Sequence, residues 1–444
     1  MIGSTSSSKP HVVIVGGGFG GLQAAKALAD SDVSVTLVDR RNHHLFQPLL
    51  YQVATAALSP ADIASPIRGL LHQQKNCRVV LGQAIAVDLE KSELVFDEGA
   101  MPYDWLVLAA GARHSYFGND HWEKFAPGLK SVEDATEIRR RILLAFENAE
   151  HEGDDASRKA ALTFAIVGGG PTGVELAGAI MEIAAKTIPR DFRNIDTRTT
   201  RVLLFEASDR LLGAFDPKSS EQARKDLEQM GVEVRLNARI TDIHEHSIEI
   251  GDETIQANNV FWAAGVQASR LTKTMQGVQT DRAGRVIVEP DLSVPGYANV
   301  FVVGDMASAK SADTGKPVPG VAQGALQGGR HVGRIIAKEL ANPNQKIARP
   351  AFVYKDKGSM ATIGRARAVA EIGKRRMHGF IAWFLWCVIH VAFLVEFKNR
   401  AAVMLSWIWN WFVFARGARL ITGDAKLTLK KIRRDEDVVP RDEA

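Results

Sequence analysis

Cysteine is almost missing from this chain of 444 residues. It has two, Cys77 and Cys387, far apart in sequence. That excludes a CxxC or CxxxxC redox pair and leaves too few thiolates for an all-cysteine iron–sulfur cluster. It suits a reducing compartment. Also missing is an uninterrupted apolar run of the roughly 20 residues that a membrane-spanning helix needs. The N-terminus, MIGSTSSSKP, reaches the first β-rich run too early to hold a signal or transit peptide. The histidines, among them His43, His44, His114, His121 and His390, do not cluster at ligand spacing, so no metal site is expected. Charge of one sign is scarce except at one end. Residues 373–444 carry 13 Lys/Arg against 7 Asp/Glu, in a chain whose net charge is only +4. Five of the eight tryptophans (383, 386, 407, 409, 411) lie in the same segment.

What is present begins at residue 12. Val12–Val15 run into Gly16-x-Gly18-x-x-Gly21, then a helical pattern, a second β-rich run and Asp39. Gly16 allows a sharp turn, Gly18 lets the backbone approach a pyrophosphate, and Gly21 lets the helix pack close. The helix N-terminus faces the phosphates. Asp39, 18 residues past Gly21, is placed to accept bonds from ribose hydroxyls.

The pattern then returns. FAIVGGGPTGVELAGAI (164–180) gives Gly168-x-Gly170-x-x-Gly173, and VLLFE (202–206) ends in Glu206. That acid lies 33 residues after Gly173 because 186–200 are inserted. LVLAAGA (106–112) is repeated by FWAAGV (261–266). Such a duplication predicts an α/β chain with two Rossmann-like dinucleotide-binding domains. We expect a first domain over 1–120, a second over 121–299, a return to the first over 300–372 and a C-terminal segment over 373–444. Residues 40–71 read as a long connection, 78–97 as antiparallel strands, 133–150 as a helix and 150–161 as a polar surface crossing. VFVVGDMA (300–307) reads as a strand ending in Gly304-Asp305, and 321–340 as a helix with Gly and Ala on one side. Those small residues admit either a flat ligand or another helix.

At the C-terminus, 379–395 and 401–415 are apolar on all sides, with EFKNR (396–400) between them. Helices of this kind are buried or in lipid. At 17 and 15 residues, with Trp and Lys/Arg at their ends, they read as lying in a membrane surface. A short hairpin in the bilayer and a dry dimer interface are the alternatives. The charged tail 430–444 reads as disordered.

Two dinucleotides in one chain suggest a resident flavin and an exchanging nicotinamide. With no cysteine pair or cluster, electrons must leave to an acceptor that meets the flavin directly, and a membrane surface makes a quinone the natural one. Glu175, two residues after Gly173, stands in the first turn of a helix facing an anionic phosphate, an awkward place for a carboxylate unless its side chain points elsewhere. Gln323 and Gln327, at i and i+4, face one way from their helix.

The sequence resembles the type II NADH:quinone oxidoreductases, particularly the bacterial ones, over about residues 10–420. The telling stretches are HHLFQPLLYQVATAALSPADIA (43–64), GGGPTGVELAGAI (168–180), VGDMA (303–307), VAQGALQGG (321–329) and KGSMATIGRARAV (357–369). The resemblance implies a glutathione-reductase-like fold plus C-terminal membrane-associating helices. It implies oxidation of NADH through tightly bound FAD, with a quinone (menaquinone or ubiquinone) reduced and no proton pumped. Gly16, Gly18, Gly20, Gly21, Asp39, Arg40, Ala84, Ala110, Gly111, Asp305, Ala322 and Gln323 would meet FAD. Gly168, Gly170, Pro171, Thr172, Gly173, Glu175, Glu206, Ala264 and Gly265 would meet NADH, with Glu206 favouring NADH over NADPH and Arg201 and Arg210 able to soften that preference. Glu175 would be catalytic, and Gln323 and Gln327 would line the quinone site. The implied setting is the cytoplasmic face of the cell membrane, as a homodimer, with no nucleic-acid partner. Two readings compete. A sulfide:quinone oxidoreductase needs the missing cysteines, and an NADH-binding flavoprotein module would form a long-lived complex without quinone turnover.

Overall fold

The computed structural model describes residues 9–413 and 417–422. The charged tail 430–444 and the end of the second apolar run, with Arg416, lie outside the described residues. The chain forms two compact units. One comprises the chain up to Phe46, Ala64–Ser115 and Gly265–Lys357; the other comprises Gln47–Ile63, Tyr116–Ala264 and the chain from Gly358 on. Besides 46/47 and 63/64, the divisions fall at 115/116, 264/265 and 357/358, where the expected boundaries were 120, 299 and 372. The return to the first unit is early because strand Val266–Ala268 pairs with Ala112–His114.

The first unit is built on a six-stranded sheet in the order Ser293–Val294, Tyr297–Val302, Trp105–Leu108, His11–Val15, Ser34–Asp39, Cys77–Leu81. All neighbours are parallel except the first pair. The central strands are continuous apolar runs, as a sheet covered on both faces requires. Cys77–Leu81 corrects the antiparallel expectation for 78–97: it extends the parallel sheet beside Ser34–Asp39. Antiparallel pairing starts only at Ala86–Asp88, against Glu93–Phe96. The helix Ala322–Leu340 lies against the helix Phe19–Ala27. A Cβ on Gly329 would sit 2.0 Å from the Gly20 carbonyl oxygen, and one on Gly333 2.7 Å from the Ala27 Cβ. The later small residues therefore serve a helix–helix contact.

The second unit repeats the theme with four parallel strands in the order Val232–Arg235, Arg201–Phe205, Thr163–Val167, Asn259–Trp262. The helix Val132–His151 opens on a reciprocal capping box, Ser131 Oγ accepting from the Asp134 N–H and Asp134 Oδ2 from the Ser131 N–H. The expected polar crossing is instead a short helix, Asp155–Ala161, capped by Asp154. A three-stranded antiparallel sheet, Ser359–Gly364, Arg367–Ile372 and Arg375–His378, leads into helices Gly379–Phe393 and Phe397–Val413. The break between these helices is shorter than EFKNR, because Lys398, Asn399 and Arg400 already belong to the second. Glu396 makes the turn at φ +69°, and Arg400 Nε bonds the Leu394 carbonyl at 2.7 Å.

Candidate functional site

The two glycine loops have one geometry. Gly16 and Gly168 take φ of +106° and +114°, which a side chain rarely tolerates. A Cβ on Gly21 or Gly173 would lie 1.8 Å from the carbonyl oxygen of Gly16 or Gly168. These third glycines thus close each helix onto its own loop. At Gly18 and Gly170 nothing lies within 4 Å of a Cβ position, so the backbone is open for a phosphate to approach. The acids complete each loop. Asp39 Oδ2 accepts from the Gly17 N–H at 2.6 Å and Oδ1 from Arg41 at 2.7 Å. Glu206 Oε2 accepts from the Gly169 N–H at 2.7 Å, and Oε1 from the Ser208 N–H and hydroxyl at 2.8 Å. Both Asp39 oxygens and Glu206 Oε2 keep a further lone pair for a ribose hydroxyl, while Ser208 takes both lone pairs of Glu206 Oε1.

In the first unit other expected residues gather. The Ala110 N–H points at the Met306 sulfur at 3.1 Å, which joins the Ala110-Gly111 turn to Gly304-Asp305. Asp305 in turn sits beside Gly320, just before the helix that begins at Ala322. Ala84 packs on the core, and Arg40 is exposed. Gly20 faces Val303 and Ala325, so its smallness serves packing. Gln327 Nε2 donates to the Lys355 carbonyl and its Oε1 accepts from the Lys355 N–H, both at 2.9 Å. Each end of the amide makes one bond that holds that segment, which leaves one N–H and one lone pair.

In the second unit, Pro171 opens the glycine helix Pro171–Glu182, with Thr172 beside it, and Ala264 closes the stretch after strand Asn259–Trp262; Gly265, at φ +74°, belongs to the first unit. Arg201 is paired with Glu233 at 2.5 and 2.8 Å, and Arg210 bonds the Gly213 carbonyl at 2.9 Å. Arg201 is thus neutralised by a carboxylate, whereas Arg210 uses one of its five N–H groups on a neighbouring carbonyl.

Glu175 owes its position to Gly178, one turn later on the same face. A Cβ there would lie 1.7 Å from the Ile363 carbonyl oxygen, so only glycine lets strand Ser359–Gly364 press onto the helix. Glu175 thereby meets that strand, and both line a cavity of about 130 Å³. Its walls include Tyr51, Gln52, Thr55, Glu182, Thr362, Arg365, Trp383, Trp386, Cys387, Trp407, Asn410 and Trp411. The glycine helix ends in a π-turn, Ile183–Thr187, an irregularity frequent at functional sites. Arg365 is fixed by its N–H on Glu182 Oε1 at 2.5 Å and by its guanidinium 4.3 Å over the Trp411 ring.

Burial sets the protonation here. It pushes the Glu175 carboxyl well above the ordinary carboxylate range, and a backbone hydrogen bond from Thr362 opposes this only in part. Burial and then the Glu175 charge push the Tyr51 phenol well above its usual value. Burial raises the Cys387 thiol to about 12, which leaves it a poor nucleophile. Sequence reasoning had singled out Glu175 but not Gly178, Tyr51, Gln52 or Trp407. The first is one of many glycines, and the others meet only through the fold.

The pyridine nucleotide-disulphide oxidoreductase family model matches residues 10–329, and the NDH2 C-terminal domain model residues 357–416. A type II NADH:quinone oxidoreductase Ndh of Mycobacterium tuberculosis is 48% identical, over 93% of this chain and 90% of its own. A second from that organism, NdhA, is 47% identical, over 94% and 91%. Among solved structures, NDH2 from Plasmodium falciparum in complex with NADH matches with a TM-score of 0.84 at 21% identity, covering 94% of this chain and all of that one. The sulfide:quinone oxidoreductase of Aquifex aeolicus shares the fold at a TM-score of 0.71 and 18% identity, over 88% of this chain and 92% of its own. On duplicated loops, C-terminal module and sequence identity together, the chain belongs to the type II NADH:quinone oxidoreductases.

Proposed function

We propose the following division of labour for a chain that oxidises NADH with FAD and reduces a quinone. The first unit holds FAD: Gly16, Gly18 and Gly21 seat its pyrophosphate, and Asp39 its ribose. Arg40 and Ala84 lie toward the adenosine, and Ala110, Gly111, Asp305, Ala322 and Gln323 toward the flavin. Bound there, FAD supplies a two-electron relay between a hydride donor and a quinone. The second unit binds NADH on Gly168, Gly170, Pro171, Thr172 and Gly173, with Ala264 following and Glu206 on the ribose. Because Glu206 repels a 2′-phosphate and Arg201 is paired with Glu233, NADH is preferred over NADPH.

The aromatic cavity takes the quinone headgroup. The observation that carries this is a buried carboxyl, Glu175, at the wall of a cavity that Tyr51 and four tryptophans also line, where burial favours its protonated form. A neutral carboxyl there donates a hydrogen bond to a carbonyl oxygen and holds a proton for it. The helices Gly379–Phe393 and Phe397–Val413 expose Phe380, Ile381, Phe384, Leu405, Ile408, Trp409 and Phe412. No helix among the described residues is long and apolar enough to cross a membrane. With Lys374, Arg375, Arg376 and Lys398 near these faces, the helices lie in the cytoplasmic surface of the cell membrane, where the quinone pool is at hand. A homodimer completes the reading, to be checked by sedimentation.

The test is Glu175→Gln in purified enzyme. FAD content and the rate at which NADH bleaches the flavin should be unchanged, while quinone-dependent turnover falls by about a hundredfold. Unchanged turnover would overturn the assignment.

A further inference from the structure

Three side chains of the second unit, two adjacent in sequence and the third 355 residues further on, form a one-way series of hydrogen bonds. The Trp407 indole N–H donates to Gln52 Oε1 at 2.7 Å, and Gln52 Nε2 donates to the Tyr51 hydroxyl oxygen at 2.9 Å. An indole N–H has no lone pair in its plane and can only donate. It therefore decides which end of the Gln52 amide faces it, namely the carbonyl. The NH₂ end is left toward Tyr51, and it too can only donate. The Tyr51 oxygen is thus used as an acceptor, and its own hydrogen must point elsewhere. Among the described residues, the Gln52 amide is the only protein group hydrogen-bonded to that hydroxyl.

Tyr51 and Gln52 line the cavity with Glu175. An O–H directed there calls for an acceptor, and the carbonyl oxygens of a quinone are acceptors. Buried beside Glu175, the phenol keeps its proton across the physiological range. Trp407 starts the series from the helix whose neighbouring Leu405, Ile408 and Trp409 are exposed apolar residues. It also packs 5.4 Å from Trp386, whose ring lies 6.4 Å from Tyr51.

We propose that Tyr51 donates the hydrogen bond that seats a quinone carbonyl in this cavity, and that Trp407 sets the direction of that donor through Gln52. This rests on the reading of the cavity as the quinone site. Tyr51 is then a substrate-binding residue, while Gln52 and Trp407 are positioning residues. The helix that meets the lipid also orients the donor inside.

The experiment uses full-length, FAD-loaded enzyme with menadione and a short-chain ubiquinone as acceptors. Tyr51→Phe should raise the quinone KM about tenfold while kcat changes less than about twofold. The NADH KM and flavin bleaching by NADH should not move. Trp407→Phe, which keeps the ring and loses the N–H, should raise the quinone KM about threefold, with unchanged co-sedimentation on anionic phospholipid vesicles. Gln52→Leu should match it. The double variant Tyr51→Phe/Trp407→Phe should be no worse than Tyr51→Phe, since direction is irrelevant once the O–H is gone. An unmoved quinone KM in Tyr51→Phe, or fully additive single effects, would overturn the proposal. Glu175→Gln run alongside separates the two levels. If it slows quinone turnover while Tyr51→Phe does nothing, the donor assignment falls and the cavity stands; if neither has an effect, both fall.

Discussion

The two glycine loops match almost bond for bond, yet the layers packed on the helices that follow them differ. Behind the first loop, the helix Phe19–Ala27 is covered by another helix, with Gly329 and Gly333 set against Gly20, Ala24 and Ala27. Behind the second, the helix Pro171–Glu182 is covered by a β-strand at Gly178, and the turn beside the contact carries Glu175 into a cavity. A helix-on-helix cover of small residues leaves no room for a ligand on that side, which suits a cofactor that stays. A strand edge leaves a gap lined by side chains, which suits chemistry. The fingerprint supplies a seat for a pyrophosphate, and the covering element decides what the rest of the helix does.

The harshest way to break this comparison is to damage each seat alike. Gly21→Ala and Gly173→Ala both place a methyl 1.8 Å from a carbonyl oxygen. We expect Gly21→Ala to lose FAD and to cost more than about 3 kcal/mol of stability. Gly173→Ala should keep its FAD, seen as the yellow of the purified protein, and raise the NADH KM at least about tenfold. Loss of FAD from both would show that the seats are not independent.

Gly178→Ala probes the cover instead of the seat. Its methyl would force strand Ser359–Gly364 from the helix and so move Thr362 away from Glu175. Quinone turnover should fall about tenfold with the NADH KM changed less than about threefold. An equal loss on both would mean that the strand supports the whole unit and not the cavity in particular.

Glu206→Gln is milder. The amide can still accept from the Gly169 N–H, but it no longer repels a phosphate. The NADH KM should rise about fivefold and the NADPH-to-NADH activity ratio should increase by a similar factor. A ratio near one in the unaltered enzyme would remove the premise.

Much of this was legible in the sequence, for physical reasons. Continuous apolar runs closed by glycines admit few local structures, so the central strands and both loops could be placed from residues 12–39 and 164–206, while the parallel strand Cys77–Leu81 was expected to pair antiparallel. The small-residue stripe of 321–340 could not be resolved, because a ligand and a helix ask for the same side chains, and only Gly20 and Ala27 lying opposite decided it. Gln327 shows a related limit: i, i+4 spacing shows which way a side chain faces but not that the Lys355 backbone bonds to both ends of its amide. Tyr51, Gln52 and Trp407 were hidden because their link spans 355 residues of sequence and depends on which end of an amide can accept from an indole N–H.

The smallest expected effect concerns what fastens each loop. The middle glycine of the first is held on its carbonyl by a side chain, His44 Nδ1 at 3.0 Å, and that of the second by a backbone N–H, Leu212 at 2.8 Å. A carbonyl can only accept, so Nδ1 carries the proton and the buried Nε2 is left as a bare acceptor. Burial lowers the His44 pKa below the ordinary 6.5, helped by Lys26 and His43 and opposed by the Gly17 bond and Asp39. The unfolded chain therefore binds this proton more readily than the folded one. The stability associated with a neutral His44 is fully present above about pH 6.5 and declines as the pH falls below it. His44→Phe keeps the edge contact with Phe19, 5.0 Å in the present ring pair, and removes both the bond to Gly17 and the titration. We expect about 1 kcal/mol weaker FAD binding, a roughly fivefold faster loss of flavin on dilution. The fall in melting temperature between pH 7 and pH 5 should be shallower than in the unaltered chain. The NADH KM should not respond, because among the described residues no side chain fastens the second loop's carbonyl; a matching rise there would mean that the first loop's latch supports more than its own cofactor.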